Sequence, residues 1–257
     1  MTMGFAVISV IASALDVEWL SATSSLMAVA LLIFNKYANE YIASNKTCAA
    51  SVQQHIDVTL YAPAVGCSVS DWGELVNKSD LADMVSEYLD ADTSAVENWY
   101  SDYSGLPGEE EVFRCQSENI RWDYSLHKAF RNLQTILLVV VAIAMLTAFI
   151  IADPGFVKLV CILSWFAPIA EYVYSNYKDV GDSIALLQKA DKLRVEIEKK
   201  LKGNSTKTIK QELVALQYKI WERRKNGFLI PDWFYEWHRK KQQKQEDQIA
   251  KTIQDIN

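Results

Sequence analysis

Residues 135–152 read TILLVVVAIAMLTAFIIA, 18 consecutive positions without a charged side chain. At 1.5 Å per residue such a run makes about 27 Å of helix, close to the ~30 Å hydrocarbon core of a bilayer. A core helix of a soluble protein keeps a polar face, whereas here Leu, Val and Ile fall on every face. The run therefore predicts a membrane span rather than a buried core helix or a set of strands.

The neighbouring sequence extends that reading. Asp153, Pro154 and Gly155 form a tight polar break, and a second apolar stretch returns over 156–173. Its charges, Lys158 and Glu171, stand within about a turn of its ends, where long side chains reach water. The two stretches predict a transmembrane hairpin over 134–173. A similar block occupies 1–35, with Asp16 and Glu18 marking its turn. Its first apolar piece, 4–15, covers only about 18 Å, too short to cross. No Lys or Arg precedes it, which argues against a secretory signal peptide. A shortened start of the first hairpin is the expectation.

The chain has 257 residues, 50% of them hydrophobic, an average that does not decide the class. The distribution of charge does. No Lys or Arg occurs in 1–35; Lys36 closes the second span, Lys128 and Arg131 precede the third, and Lys178 follows the fourth. The positive-inside rule places 36–133 and 174–257 in the cytosol, with two short turns outside. The insert 36–133 holds 7 bases and 16 acids, and the tail 174–257 holds 18 bases and 12 acids. Nets of −9 and +6 suggest that the two parts pack on one another, or that the tail lies against anionic lipid. The tail's bases alternate with acids along helices, so nucleic acid is not an expected partner.

Cys48, Cys67 and Cys115 fall in the insert and Cys161 in a span. An odd number without a CxxC suits reduced thiols better than a disulfide framework. His55, His127 and His238 are too scattered for a metal site. No GxGxxG, Walker-type loop, GxSxG or HExxH occurs. The acids of Asp90-Ala91-Asp92-Thr93 lack the apolar strand that a phosphohydrolase needs before them. The expectation is a non-enzyme without catalytic residues, cofactor or metal.

The soluble parts read as helical. Residues 36–55 continue the second span; Pro63 and Gly66 break 61–71 into loop; Ser79 or Asp80 caps a short helix over 81–89; and a helix from Glu110 runs into the third span. Leu186, Ala190, Leu193 and Ile197, then Ile209, Leu213, Leu216 and Ile220, repeat a 4, 3, 4 spacing on either side of KGNSTK. That rhythm predicts an antiparallel helical hairpin, or else a seam between subunits. Asn226-Gly227 ends the second tail helix in the left-handed manner, and Asp232 caps the next. Phe228, Ile230, Trp233, Phe234 and Trp237, followed by Arg239, Lys240 and Lys241, suit either the core of the cytosolic part or lipid headgroups. The fold class is an all-α membrane protein: two transmembrane hairpins, a helical insert and a helical-hairpin tail.

At the threshold of the third span stands CQSENIRWDY, residues 115–124. Cys115, Asn119, Trp122 and Leu126 or Asp123 share one helix face. Trp122 can bury against the tail or sit at headgroups with its indole N–H partnered, while Arg121 and Asp123 can clamp the tail by ion pairs. The stretch reads as a bracket fixing the second hairpin to the cytosolic part, with a ligand pocket as the alternative.

Several of these segments resemble one family. Trp99-Tyr100, Leu106-Pro107, Cys115-Gln116-x-x-Asn119-x-x-Trp122-Asp123 and Ile230-Pro231-Asp232-Trp233-Phe234-Tyr235 are similar to the SMODS-associated four-transmembrane effectors of bacterial defence. Those are predicted pore-formers encoded beside synthases of nucleotide second messengers. The likeness covers about residues 5–245 in layout, although the family's polar, basic helix ahead of the first span has no counterpart. It implies an inner-membrane effector that forms homo-oligomers and permeabilises the bilayer on infection signalling, with a nucleotide messenger or its synthase as partner. Ser9, Ser13, Ser21, Thr23, Ser24 and Ser25 are candidates to line a pore, close helix packing being the equal alternative, and Pro168 is a candidate hinge. The rival functions are a membrane-anchored scaffold or receptor without conductance, and a small transporter.

Overall fold

The computed structural model describes residues 18–73, 82, 100–103, 105–152, 156–203 and 208–256. They form five α-helices and no strand: α1 Glu18–Val65, α2 Gly108–Ala152, α3 Phe156–Lys202, α4 Lys210–Asn226 and α5 Asp232–Ile256. A 3-10 turn, Val69–Trp72, follows α1. The chain divides into two compact units, Met1–Asn45 with Arg131–Asp179, and Lys46–Phe130 with Val180–Asn257.

The first unit holds the stretch that opened the sequence reading. Among the described residues α2 is the one helix long and apolar enough to span a membrane, and its most apolar 18-residue window is only 6% buried. Ile143, Leu146, Ile150 and Ile151 are all more than half exposed. Thr135 and Thr147 return their hydroxyls to the carbonyls of Arg131 and Ile143 at 3.0 and 2.9 Å. Both polar groups in the run are thus satisfied inside the helix, as hydrocarbon demands. The second hairpin's other arm and most of the first hairpin fall on residues whose side chains or backbone lie outside the description. At the polar end of the unit, the Arg131 guanidinium lies 4.5 Å over the Tyr177 ring and donates to its hydroxyl at 3.0 Å.

The second unit has a hydrophobic core drawn from four helices. Val58, Tyr61 and Val65 of α1 meet Val112, Phe113 and Ile120 of α2, Ala190 and Ile197 of α3, and Leu213, Leu216 and Ile220 of α4. The 4, 3, 4 rhythm of the tail is therefore a core stripe inside one chain, not a seam between subunits. One position slips: Leu187 is buried where Leu186 is half-buried. Lys200 pairs with Glu212 at 2.5 Å, while Leu187 and Ala190 share a small void with Lys219 and Ile220, so α3 and α4 run antiparallel. Glu109 locks the start of α4 by accepting from the Thr208 hydroxyl at 2.7 Å and the Ile209 N–H at 3.0 Å.

Helix ends depart from expectation in four places. Pro63 lies inside α1, which continues to Val65. The Cys67 N–H then bonds the Ala62 carbonyl at 2.9 Å and the Gly66 N–H that of Pro63 at 3.1 Å, with Gly66 at φ 68°. This double closure needs the left-handed residue that glycine supplies, so Gly66 rather than Pro63 stops the helix. Gly227 is not left-handed: it is extended at φ −73°, ψ 163°. Asp232 is the first residue of α5 rather than its cap, and the Pro231 carbonyl accepts the Phe234 and Tyr235 N–H groups at 3.0 and 3.1 Å. α2 starts at Gly108, two residues before the expected Glu110. The short helix expected over 81–89 and the acids at 90–92 lie outside the described residues.

Gly108 also sets how closely α1 and α2 meet, because a Cβ there would stand 2.0 Å from the Ala64 carbonyl oxygen. That oxygen is backbone and cannot rotate away. Gly108→Ala is expected to destabilise this unit by about 1–3 kcal/mol, a typical overpacking cost. Thermal unfolding of the full chain measures it, and an unchanged midpoint would show that the two helices approach less closely.

Candidate functional site

The face of α2 that carries CQSENIRWDY points into the second unit. Gln116 is fully buried, and Cys115 packs against the core cluster. Burial, helped by the nearby Glu118 and Glu111 carboxylates, pushes the Cys115 thiol up to about 12, so it stays protonated and unreactive. From the next residue, a polar network crosses the core. The Gln116 amide donates at 3.1 Å to the Leu213 carbonyl and to the Gln217 side chain. Gln217 donates in turn to Gln54 at 2.9 Å and to Asp57 at 3.0 Å. Asp57 also holds the buried Arg224 guanidinium at 2.6 Å. Tyr100 joins the network at its other edge, accepting from Asn119 at 2.7 Å and from Tyr61 at 2.9 Å. Burial, with the Asp57 charge nearby, raises both phenols far above their usual range. They act as hydroxyls and not as bases.

Beside this network lies a cavity of about 220 Å³. α2 supplies Asn119, Trp122, Asp123 and His127 to its wall; α4 supplies Arg223 and Arg224; α5 supplies Tyr235, Arg239 and Gln243. The connection 228–230 closes one side, and it is held from three directions. Lys46 donates to the Gly227 carbonyl at 2.8 Å, the Phe228 N–H donates to Ser183 at 2.5 Å, and the His127 ring meets the Phe228 carbonyl at 3.2 Å. Burial and the Arg223 charge lower the His127 pKa. Arg223 itself is ion-paired with Asp123.

The indole of Trp122 leans on the Tyr235 ring with centroids 6.3 Å apart. Its Nε1 is buried without a hydrogen-bond partner, and so is Nε of Arg223. The expected partner for that indole N–H is therefore missing, which is uncommon for a buried donor. The two clamps are present: Arg121 pairs with Glu246 at 2.5 Å, and Asp123 with Arg223. Both join α2 to the tail helices.

The other sequence candidates divide as follows. Tyr100, Gln116, Asn119, Trp122 and Asp123 gather around the cavity and its network. Pro231 and Asp232 begin α5. Trp233 and Trp237 point outward, 61% and 71% exposed, whereas Phe234 is buried between Phe130 and His238. The aromatic cluster is thus split between core and surface. Trp99, Ser9 and Ser13 lie outside the described residues. Ser24 and Ser25 fall in α1 and Pro168 in α3, in stretches described by backbone alone.

Sequence reasoning missed Gln54, Asp57, Gln217, Arg223 and Arg224. A signal existed for Gln217, a polar residue beside Leu213, Leu216 and Ile220 on an apolar stripe. No three His, Cys, Asp or Glu side chains gather as a metal site among the described residues.

A family model described as the SMODS-associating 4TM effector domain matches residues 1–254, nearly the whole chain. No curated protein and no solved structure matches it.

Proposed function

The chain belongs to the SMODS-associating 4TM effector family, and from that premise we propose that it permeabilises the bacterial inner membrane when infection is signalled. The observation that carries this reading is the apolar half of α2: 18 uncharged residues, 6% buried, with even their hydroxyls turned back onto the helix. Such a surface has no stable partner in water. In the proposed arrangement four spans form two hairpins, and both large polar parts face the cytosol. Lys36, Lys128, Arg131 and Lys178 flank the spans on that side, while 1–35 carries no base. Four helices cannot enclose a wide aqueous lumen, so the conducting state is a homo-oligomer. A nucleotide messenger or its synthase supplies the signal, the association that the family's description carries. Nothing in the cavity assembles a nucleophile with a base, which supports binding rather than catalysis: burial keeps the nearby Cys115 thiol protonated, and burial with the Arg223 charge lowers the His127 pKa against the pull of the two carbonyls its ring meets.

The test is induced expression in bacteria loaded with a membrane-potential dye. Depolarisation preceding growth arrest is expected. A membrane that keeps its potential while the protein accumulates there would replace the pore with a non-conducting scaffold.

A further inference from the structure

The start of α5 turns one ring toward the core and leaves two outside it. Phe234 is buried, whereas Trp233, Trp237 and the preceding Leu229 are each more than half exposed. The outward pose of the indoles is held from within. Both stand nearly at right angles to the Phe234 ring, with centroids 5.5 and 6.0 Å from it. Two indoles braced in this way keep apolar surface in water, and such a patch marks an interaction site.

The same side of the helix continues into amines. Trp233, Trp237, Lys240 and Lys244 follow at spacings of 4, 3 and 4, with Lys241 beside them. All three lysines are exposed, and among the described residues none of them has an ion-pair partner. The acids over 232–245 are Asp232, at the first residue of α5, and Glu236, which Arg239 meets at 3.6 Å. The balance is positive. Amphipathic rings beside free amines match the headgroup layer of a bilayer, where indoles settle and lysines meet anionic phosphates. Position along the chain favours the same partner. Phe234 packs edge-on against Phe130 at 5.0 Å, and Phe130 precedes by five residues the start of the uncharged run at Thr135. Five residues of helix rise about 7.5 Å, close to the roughly 5–7 Å depth of one headgroup layer.

We propose that the exposed face at the start of α5 docks into the headgroup layer of the bilayer that holds the spans. Trp233 and Trp237 lie among the headgroups, and Lys240, Lys241 and Lys244 contact the phosphates of anionic lipids. The proposal rests on the span reading of α2 but not on conductance, so it holds equally for a pore and for a non-conducting scaffold.

The experiment places the full chain in nanodiscs of phosphatidylcholine, alone or mixed with phosphatidylglycerol, with a nitroxide on some headgroups to quench nearby tryptophan. The difference between the unaltered chain and a Trp233→Phe, Trp237→Phe double variant isolates the two indoles. Both membranes are expected to quench them, about twofold more with phosphatidylglycerol, and high salt is expected to remove that excess. Replacing the three lysines together, Lys240→Gln, Lys241→Gln and Lys244→Gln, is expected to abolish the excess while the melting midpoint in detergent stays unchanged. Indoles that dissolved acrylamide quenches and the labelled lipid does not would overturn the proposal. So would shielding from both quenchers, the sign of a second copy or another protein on this face, or an equal response to the two lipid mixtures. A lipid brominated on its acyl chains reports Trp165, which lies in the expected fourth span. Bromine quenching without headgroup quenching of the α5 indoles would sink this site and leave the spans, whereas no bromine quenching at all would remove both.

Discussion

Replacing Asp57 by alanine is expected to destabilise the second unit by about 3–5 kcal/mol, among the largest effects of any single substitution in it. The Arg224 guanidinium it holds at 2.6 Å is inside the protein, with side-chain exposures of 11% for the arginine and 10% for the aspartate. Arginine does not deprotonate at accessible pH, so removal of the carboxylate leaves a full charge in a poorly polarisable core. The loss does not stop at the pair, because Gln217 also donates to Asp57 at 3.0 Å. Thermal unfolding of the full chain in detergent should show the midpoint fall by about 6–20 °C, at ~2–4 °C per kcal/mol for a domain of 150–250 residues. The double replacement Asp57→Leu with Arg224→Met removes both charges together and should recover more than half of the loss. If the single variant costs less than about 1 kcal/mol, water reaches Arg224 and the network is open rather than sealed.

Phe234→Ala is expected to cost a similar amount, about 3–5 kcal/mol, by a different route. Phe234 is 1% exposed and sits edge-on to Phe130 at 5.0 Å, with the His238 ring stacked at 4.2 Å. Phe130 in turn stacks on Phe228 at 5.7 Å. Truncation leaves a hole among rings from α2, the 228–230 connection and α5, none of which can collapse without moving its helix. Trp233 and Trp237 flank the same phenylalanine but are mostly exposed, so alanine at either should cost no more than about 1 kcal/mol. The comparison is sharp because the three aromatics lie within five residues of sequence. Equal losses at all three positions would show that the cluster is buried as a block.

These two residues illustrate how unevenly the sequence discloses its structure. Phe234 sat in a visible aromatic cluster, but only packing shows that it, and not either tryptophan beside it, faces inward. Asp57 gave no sign, because it lies among ordinary helix residues and its partner is 167 positions away. The clamps at Arg121 and Asp123 could be anticipated as ion pairs to the tail from their place at the threshold of the third span. Their individual partners, Glu246 and Arg223, could not. Glycine and proline were legible as helix breakers, yet local signals placed Gly227 in the wrong conformation and stopped α1 too early. A helix end is settled by the carbonyls it must close, and these depend on what packs over the last turn. The shared face of Cys115, Asn119 and Trp122 followed from spacing alone. That Trp122 would lack a partner and border a cavity did not.

What the amino-acid order determined by itself is the medium each stretch requires. Eighteen uncharged residues in a row must leave water, and polar segments with a 4, 3, 4 apolar rhythm must fold against something along one stripe. Hydropathy and periodicity are sums over neighbouring residues, so they need no knowledge of the fold. The structure agrees, leaving the apolar run of α2 only 6% buried. It alone decided that Asp57, Gln217 and Arg224 meet inside the core, and that a ring-lined hollow opens beside them. Those outcomes depend on contacts between residues a hundred or more positions apart, where charge and shape are matched by the packing of whole helices.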